Sequence, residues 1–343
     1  MYYVGIDFHK KFSYGTVMDK EGQIKQQCQI ANHPDSVKNF INSLDDKSTV
    51  VLEATRNWTL MYDWLEDVCE EVKLAHPLKV KVIAEAKVKT DKIDSKVLAD
   101  LLRTNYLPEA YIPSREARDT RAILRQRMFF VRIQTMMKNR IRTILDRYPE
   151  IERKTAEVFT GKGIEWLKGI KIKETDRQII NEDISFLEKV RERIKASDKL
   201  IEDLFEKDDR CKRLETIPGI GKFISVLLVS EIDKVERFRD EKKLHAYCGL
   251  VPSTYQSGER TIHGRITKQG NKYLRWAMIE AVWPAIRSDL ELRNYYERLK
   301  KEKGPNRAKV ATAKRLLTIV YKVLKDNRNY LVRGCPDIIM AVR

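Results

Sequence analysis

Three short runs of alternating apolar and polar residues crowd the first 31 positions, and this narrows the folds open to the chain more than any other feature. Residues 2–7, 13–18 and 23–30 each have the length and period of a strand, and Asp19-Lys20-Glu21-Gly22 supplies a hairpin turn between the last two. The pattern then alternates. A helix is predicted over 36–44, opened by Pro34-Asp35, then a strand over 49–54, a helix over 58–68, a strand over 72–76 and a helix over 94–103. Antiparallel strands followed by alternating helices and strands predict a mixed α/β sheet.

That order of elements is the order of the ribonuclease-H-like fold, and it gives meaning to four acids. Asp7 ends the first strand run and Glu53 the fourth, while Asp91 and Asp94 lie in Lys89-Thr90-Asp91-Lys92-Ile93-Asp94 at the start of a helix. In such a sheet the first and fourth strands are parallel neighbours about 5 Å apart, so Asp7 and Glu53 project side by side. Asp91 and Asp94 share one helical face, with Cβ atoms about 5–6 Å apart. Gathered carboxylates repel one another and raise each other's pKa. A hard divalent cation relieves the repulsion, and Mg²⁺ is the expected one, with Mn²⁺ as a substitute. Two such ions about 4 Å apart stabilise both the attacking and the leaving oxygen of a phosphodiester. Asp94 also reads as a plain helix cap.

The 343 residues carry a net charge of +17 with an ordinary apolar fraction, so a folded body of roughly two domains bears the charge. Such an excess favours a polyanionic partner, since each neutralised phosphate releases a counterion. A basic surface kept for solubility is the bland alternative. Five cysteines, widely spaced and without a C-x-x-C pair, argue against a disulfide framework or zinc site and fit a reducing cytoplasm. No apolar run reaches the ~18–20 residues of a membrane span, and the opening Met-Tyr-Tyr-Val-Gly-Ile-Asp reads as a strand, not a signal peptide.

Residues 115–145 are helical and basic, with nine Lys or Arg against two acids. Arg118, Arg121, Arg125 and Arg132 share a face beside the apolar stripe Leu124, Met128 and Val131, and that face is either solvated or phosphate-contacting. Over 175–208, Ile180, Leu187, Ile194 and Ile201 recur every seven residues with Ile184 and Phe205 as companions, predicting a helical hairpin arm or a dimer contact. The second half is mainly helical. Pro218-Gly219-Ile220-Gly221 looks like a helix–hairpin–helix turn that would bring backbone N–H groups and Lys222 to a phosphate, and an unliganded turn is the alternative. Ser257 lies in Gln256-Ser257-Gly258, followed by Arg260, His263, Arg265, Lys268, Lys272 and Arg275. A loop hydroxyl among cations is where attack on a phosphodiester could occur, although ordinary loop serines are far commoner. Val310, Ala313, Leu317, Val320 and Leu324 mark a last amphipathic helix after the break Gly304-Pro305.

Gly5-Ile6-Asp7-Phe8-His9-Lys10, Glu53-Ala54-Thr55 and Lys89-Thr90-Asp91-Lys92-Ile93-Asp94 resemble the D-E-D-D signature of transposases from insertion-sequence family 110. Pro218-Gly219-Ile220-Gly221, Gly249-Leu250-Val251-Pro252, Gln256-Ser257-Gly258 and 267–275 resemble that family's C-terminal transposase domain. The resemblance implies a RuvC-like catalytic domain over 1–150, a coiled-coil arm over 151–209, a transposase domain over 210–300 and a helical extension over 301–343. It implies a recombinase that excises and inserts its own element, with Mg²⁺ on Asp7, Glu53, Asp91 and Asp94 and with Ser257 as the nucleophile. It further implies donor and target DNA as substrates, a structured bridge RNA as guide, a homo-oligomer (dimer or tetramer) and a bacterial or archaeal cytoplasm, at the nucleoid when active. His9 stands where a small hydroxyl residue is common and Ser95 where alanine is usual; His9 is read as structural. The rivals are a RuvC-type nuclease or junction resolvase that uses water, and a non-enzymatic nucleic-acid-binding scaffold.

Overall fold

The computed structural model describes residues 1–84, 90–152, 158–257 and 260–332, with the side chains of Ser257, Arg260, Thr261 and His263 outside that description. The chain divides into two compact units, Met1–Pro113 and Ser114–Arg343. The division falls well ahead of the domain boundary expected at 150, so the long basic helix belongs to the second unit.

In the first unit the elements run β1 (Tyr2–Phe8), β2 (Phe12–Met18), β3 (Ile24–Ala31), α1 (Pro34–Asn42), β4 (Ser48–Glu53), α2 (Trp58–Leu65), β5 (Glu71–Ala75), α3 (Pro77–Ile83), α4 (Asp91–Arg103) and β6 (Glu109–Ala110). The strands form one sheet in the order β3-β2-β1-β4-β5-β6. β1 pairs antiparallel with β2 and parallel with β4, and β4 pairs parallel with β5. The mixed sheet expected from the sequence is present, and its strand order is consistent with the ribonuclease-H-like fold. Alternation along the strands sorts the side chains by face. Val4, Ile6, Val50 and Leu52 join Val37, Phe40, Met61 and Leu65 in the core under α1 and α2. Val51 and Ala75 face the other way and pack with Leu98 and Leu102 of α4.

On that second face Gly5 decides how close α4 comes. A Cβ at Gly5 would lie 2.1 Å from the Ser95 carbonyl oxygen and 2.6 Å from the Ala99 nitrogen, so only glycine admits the helix backbone there. A buried hydrogen bond of 2.7 Å joins the Ser95 and Thr16 hydroxyls and locks the same contact, and Gln27 Nε2 also donates to Thr16.

The second unit contains α5 (Arg115–Leu145), α6 (Gly161–Gly169), α7 (Glu174–Lys207), α8 (Asp209–Glu215), α9 (Lys222–Ile232), α10 (Glu241–Cys248), β7 (Pro252–Ser257), β8 (Arg260–Ile266), α11 (Lys272–Ser288), α12 (Leu290–Lys303) and α13 (Pro305–Asp326). The helices α5 and α7 form an antiparallel pair. Their ion pairs run in opposite directions, Arg127 with Asp198, Arg140 with Asp183 and Arg147 with Asp176. The heptad positions Ile180, Ile184, Leu187, Ile201 and Phe205 are buried within this unit and Ile194 is half-buried, so most of the seam predicted as a hairpin arm or a dimer contact is covered by the chain's own helices. Around α9 the burial is nearly all-round, which makes it the central helix of the remaining bundle.

The Arg-rich face of α5 is not solely an outward one. Arg121 is buried and donates to the carbonyls of Ser230 and Glu231, and both Arg121 and Arg125 pair with the Glu231 carboxylate at 3.2 and 3.0 Å. Asn271 Nδ2 donates to the same carboxylate at 2.8 Å while its Oδ1 caps α11 through the amides of Tyr273 and Leu274. Arg121 is thereby occupied by a buried acid, whereas Arg125, paired to the same carboxylate, stays 45% exposed.

Candidate active site

Asp7 is the second residue after Gly5, so its carboxylate leaves β1 on the face that α4 covers. The β1–β4 pairing runs from Tyr2 opposite Ser48 to Ile6 opposite Leu52, and one further step in that register sets Asp7 opposite Glu53. Both acids stand at the carboxyl ends of parallel strands. The first turn of α4 carries Asp91 and Asp94. It begins three residues earlier than the helix predicted over 94–103, because Thr90 caps it by accepting a hydrogen bond from the Ile93 amide. That finding overturns the reading of Asp94 as a cap.

The carboxylates of Asp7 and Asp91 meet at His9. Its Nε2 lies 3.0 Å from Asp7 Oδ2 and 3.1 Å from Asp91 Oδ1, and the ligand atoms of the three residues lie within 4.8 Å of one another. Asp7 is 9% exposed. Burial pushes its pKa up, the neighbouring imidazole pulls it down, and the charges of Asp94 and Asp91 push it up again. Asp91 and Asp94 are therefore within electrostatic reach of Asp7, and Glu53 ends the adjoining strand. Hard oxygen donors crowded at a partly buried point fit a divalent cation. His9 is the functional candidate that sequence reasoning set aside as structural. The available signal was its position two residues beyond Asp7, where β1 has ended.

Beside the acids a cleft of about 540 Å³ is lined by Phe8, His9 and Lys10 from the end of β1 and by Thr55, Arg56 and Asn57 from the loop after β4. Lys10 and Arg56 give it positive charge, and among the described residues no acid lines it.

The other predicted residues lie in the second unit. Ser257 is the last residue of β7, paired in register with Arg260 across the β7–β8 hairpin. The side chains of Ser257, Arg260 and His263 lie outside the described residues. The base of the hairpin is held by the Thr267 amide donating to Val251 and the Asn271 amide donating to Tyr247. Arg265, Lys268 and Lys272 are exposed. Arg275 is half-buried and donates to the Cys248 carbonyl at 3.0 Å, which is a scaffold contact. Lys222 is paired with Glu202 at 2.6 Å and lies 3.8 Å from Glu206, so it would have to leave α7 to reach a phosphate. In the turn before it, Gly219 has φ +88° and packs against α11, where a Cβ would lie 2.4 Å from the Ala281 oxygen. Gly219 thus serves a close helix contact.

Two family models match the chain. One, described as "Transposase" and of the IS110 DEDD type, covers residues 4–149, and the other, described as "Transposase IS116/IS110/IS902 family", covers 211–297. The first match runs through the whole sheet and along α5. The transposase for insertion sequence element IS1111A of Coxiella burnetii is 25% identical over 299 residues, which is 82% of this chain and 79% of that relative. A probable family 20 transposase of Pseudomonas aeruginosa is 22% identical over 83% of this chain and 84% of its own length. The pilin gene-inverting protein of Moraxella bovis is 34% identical over 130 residues, 36% of this chain and 40% of that relative.

Proposed function

This chain belongs to the IS110/IS116 family of DEDD transposases, enzymes that cut and rejoin DNA, and from that premise we propose that it recombines its own insertion sequence through a Ser257–DNA intermediate, with Mg²⁺ on the four acids. The observation that carries the reading is the convergence of Asp7 and Asp91, with Asp94 in electrostatic reach, at the carboxyl end of β1. Asp7, Glu53, Asp91 and Asp94 would hold the cation, which supplies charge stabilisation for oxygens bonded to the reacting phosphorus. Lys10 and Arg56 take phosphates of the strand flanking the scissile bond in the cleft beside the acids.

Attack by the Ser257 hydroxyl forms an Oγ–P bond and breaks the P–O3′ bond, and the hydroxyl proton ends on the departing 3′ oxygen. The ester conserves the phosphodiester energy, so a new 3′ hydroxyl can reverse the step and reseal DNA without ATP. Arg265, Lys268 and Lys272, exposed next to the hairpin, bind nucleic-acid backbone. The net charge of +17 supports simultaneous binding of DNA and a structured guide RNA, which the family resemblance supplies as a bridge RNA. The same resemblance supports a homo-oligomer in which the acids of one copy work with the serine of another.

The test is to incubate the full-length protein with element-end DNA, its co-purifying RNA and Mg²⁺, denature, and look for protein-linked DNA. A covalent adduct mapped to Ser257, absent from Ser257→Ala, is the expected result. Cleaved ends without an adduct, made equally by Ser257→Ala, would establish water as the nucleophile and a RuvC-type nuclease.

A further inference from the structure

His9 has no part in the four-acid arrangement, yet it lies between two of those acids, Asp7 and Asp91. Its Nε2 sits 3.0 Å from one carboxylate oxygen and 3.1 Å from another, on residues that belong to different elements, β1 and the first turn of α4. A single ring nitrogen carries at most one hydrogen and directs it along one line, so it cannot serve two carboxylates equally as a donor. Its lone pair can do what one hydrogen cannot. In an octahedral site with metal–ligand distances of about 2.1 Å, adjacent ligand atoms lie about 3 Å apart. The spacings from Nε2 to Asp7 Oδ2 and to Asp91 Oδ1 match two such edges, and all three ligand atoms fall within 4.8 Å. The imidazole is 42% exposed, so it stands at the open side of the site, toward the cleft that it lines with Lys10 and Arg56.

We propose that His9 Nε2 is a direct ligand of the divalent cation held by Asp7 and Asp91, and that this nitrogen gives the site a preference for Mn²⁺ over Mg²⁺. The chemistry follows from ligand type: Mg²⁺ takes oxygen almost exclusively, whereas imidazole binds later divalent ions more strongly along the series that starts at Mn²⁺. The proposal rests on the four-acid metal reading and adds a fifth side chain to it.

The experiment compares full-length wild type, His9→Ala, His9→Gln and Asp7→Asn. Mn²⁺ and Mg²⁺ binding are measured by calorimetry, bound Mn²⁺ is examined by pulsed electron paramagnetic resonance for ¹⁴N coupling, and thermal unfolding without metal checks each fold. Wild type is expected to show ¹⁴N coupling that both His9 variants lose. Their Mn²⁺ affinity falls at least about tenfold, since loss of even an outer-shell partner costs ~10–100-fold, and their Mg²⁺ affinity falls less. If ¹⁴N coupling persists in His9→Ala, or if both cations weaken equally, His9 is not a ligand and the proposal is wrong. Asp7→Asn separates the two claims. Loss of both cations there, with the His9 variants unaffected, keeps the acid site and overturns only the role of His9. Wild-type binding by Asp7→Asn overturns the acid site and this proposal with it.

Discussion

Replacing Gly5 by alanine tests whether close approach of α4 builds the metal site. The added Cβ would lie 2.1 Å from the Ser95 oxygen and 2.6 Å from the Ala99 nitrogen, both backbone atoms that cannot rotate away. Relief to an ordinary contact moves α4 outward by roughly 1 Å, and overpacking of this kind costs about 1–3 kcal/mol. The same movement stretches the 2.7 Å hydrogen bond between Ser95 and Thr16, adding about 0.5–1.5 kcal/mol. It also carries Asp91 and Asp94 away from Asp7, and a ~1 Å misplacement of catalytic groups costs about 100-fold in rate. Gly5→Ala is therefore expected to lose about 2–4 kcal/mol in urea unfolding, to bind Mn²⁺ at least about tenfold more weakly and to cleave DNA about 100-fold more slowly. Ser95→Ala is the control. It removes one hydroxyl while Thr16 keeps its bond from Gln27, so it loses only about 0.5–1.5 kcal/mol and keeps cleavage. Wild-type stability and cation affinity in Gly5→Ala would refute the reasoning, because the helix position would then not depend on that contact.

Two further predictions concern charge. Lys10→Ala and Arg56→Ala are each expected to lower the slope of log K against log salt for DNA binding by about 0.7–0.9, measured by fluorescence anisotropy across a salt series; unchanged slopes would remove the cleft from the DNA path. His245 is buried against Thr318, and burial pushes its pKa down to about 4. The unfolded chain takes up that proton first, so the stability this histidine contributes is present above its ordinary value near 6.5 and is lost as pH falls toward 4. The loss amounts to about 3 kcal/mol. Urea midpoints of the wild type and His245→Gln across that range should converge as pH falls, and parallel curves would contradict the assignment.

The residues that the sequence placed well are those whose signal is local. Period-two alternation marks β1 to β3 directly, and strand ends locate Asp7 and Glu53 without knowledge of the rest of the sheet. The apolar period marks α4 only from 94, and its true start at Asp91 is set by Thr90, whose hydroxyl serves the Ile93 amide. Two elements escaped, α3 and β6. In α3 Leu78, Val82 and Ile83 are exposed and Val80 packs on the sheet, so its apolar residues do not mark one buried face, and β6 is only Glu109–Ala110. What the sequence does not carry is each cation's partner, which is set by the fold. Lys222 meets Glu202, and Arg121 and Arg125 meet Glu231 more than a hundred residues away. Nothing in the spacing of basic residues distinguishes those cations from Lys268 or Lys272, which stay exposed. His9 was undervalued for a related reason, since its importance depends on Asp91, which joins it only when α4 docks.

The arrangement around Asp7 also explains how a fold can keep acids that repel one another. Asp91 and Asp94 occupy the first turn of α4, where the partial positive charge of the helix N-terminus favours them, and Arg103 sits in the last turn, where the opposite charge is welcome. The helix is pressed to the sheet by the Gly5 contact, the Ser95–Thr16 bond and the packing of Leu98 and Leu102, none of which involves an acid. Repulsion is therefore opposed by uncharged contacts, the nearest at Ser95 beside Asp94 and the others one and two turns further along α4. Asp7 bears what cost remains, because burial and its two acidic neighbours raise its pKa. A carboxyl shifted in that direction favours the folded state while it is protonated, and that advantage is lost as pH rises from the unfolded value through the folded one. Above that window the site is ionised and its carboxylates repel, which a divalent cation bound as proposed would relieve by binding the folded state. At a concentration ~100 times its dissociation constant, a cation would add about 2.7 kcal/mol to stability. Metal held there as proposed would thus be coupled to folding through the same acids that repel one another without it.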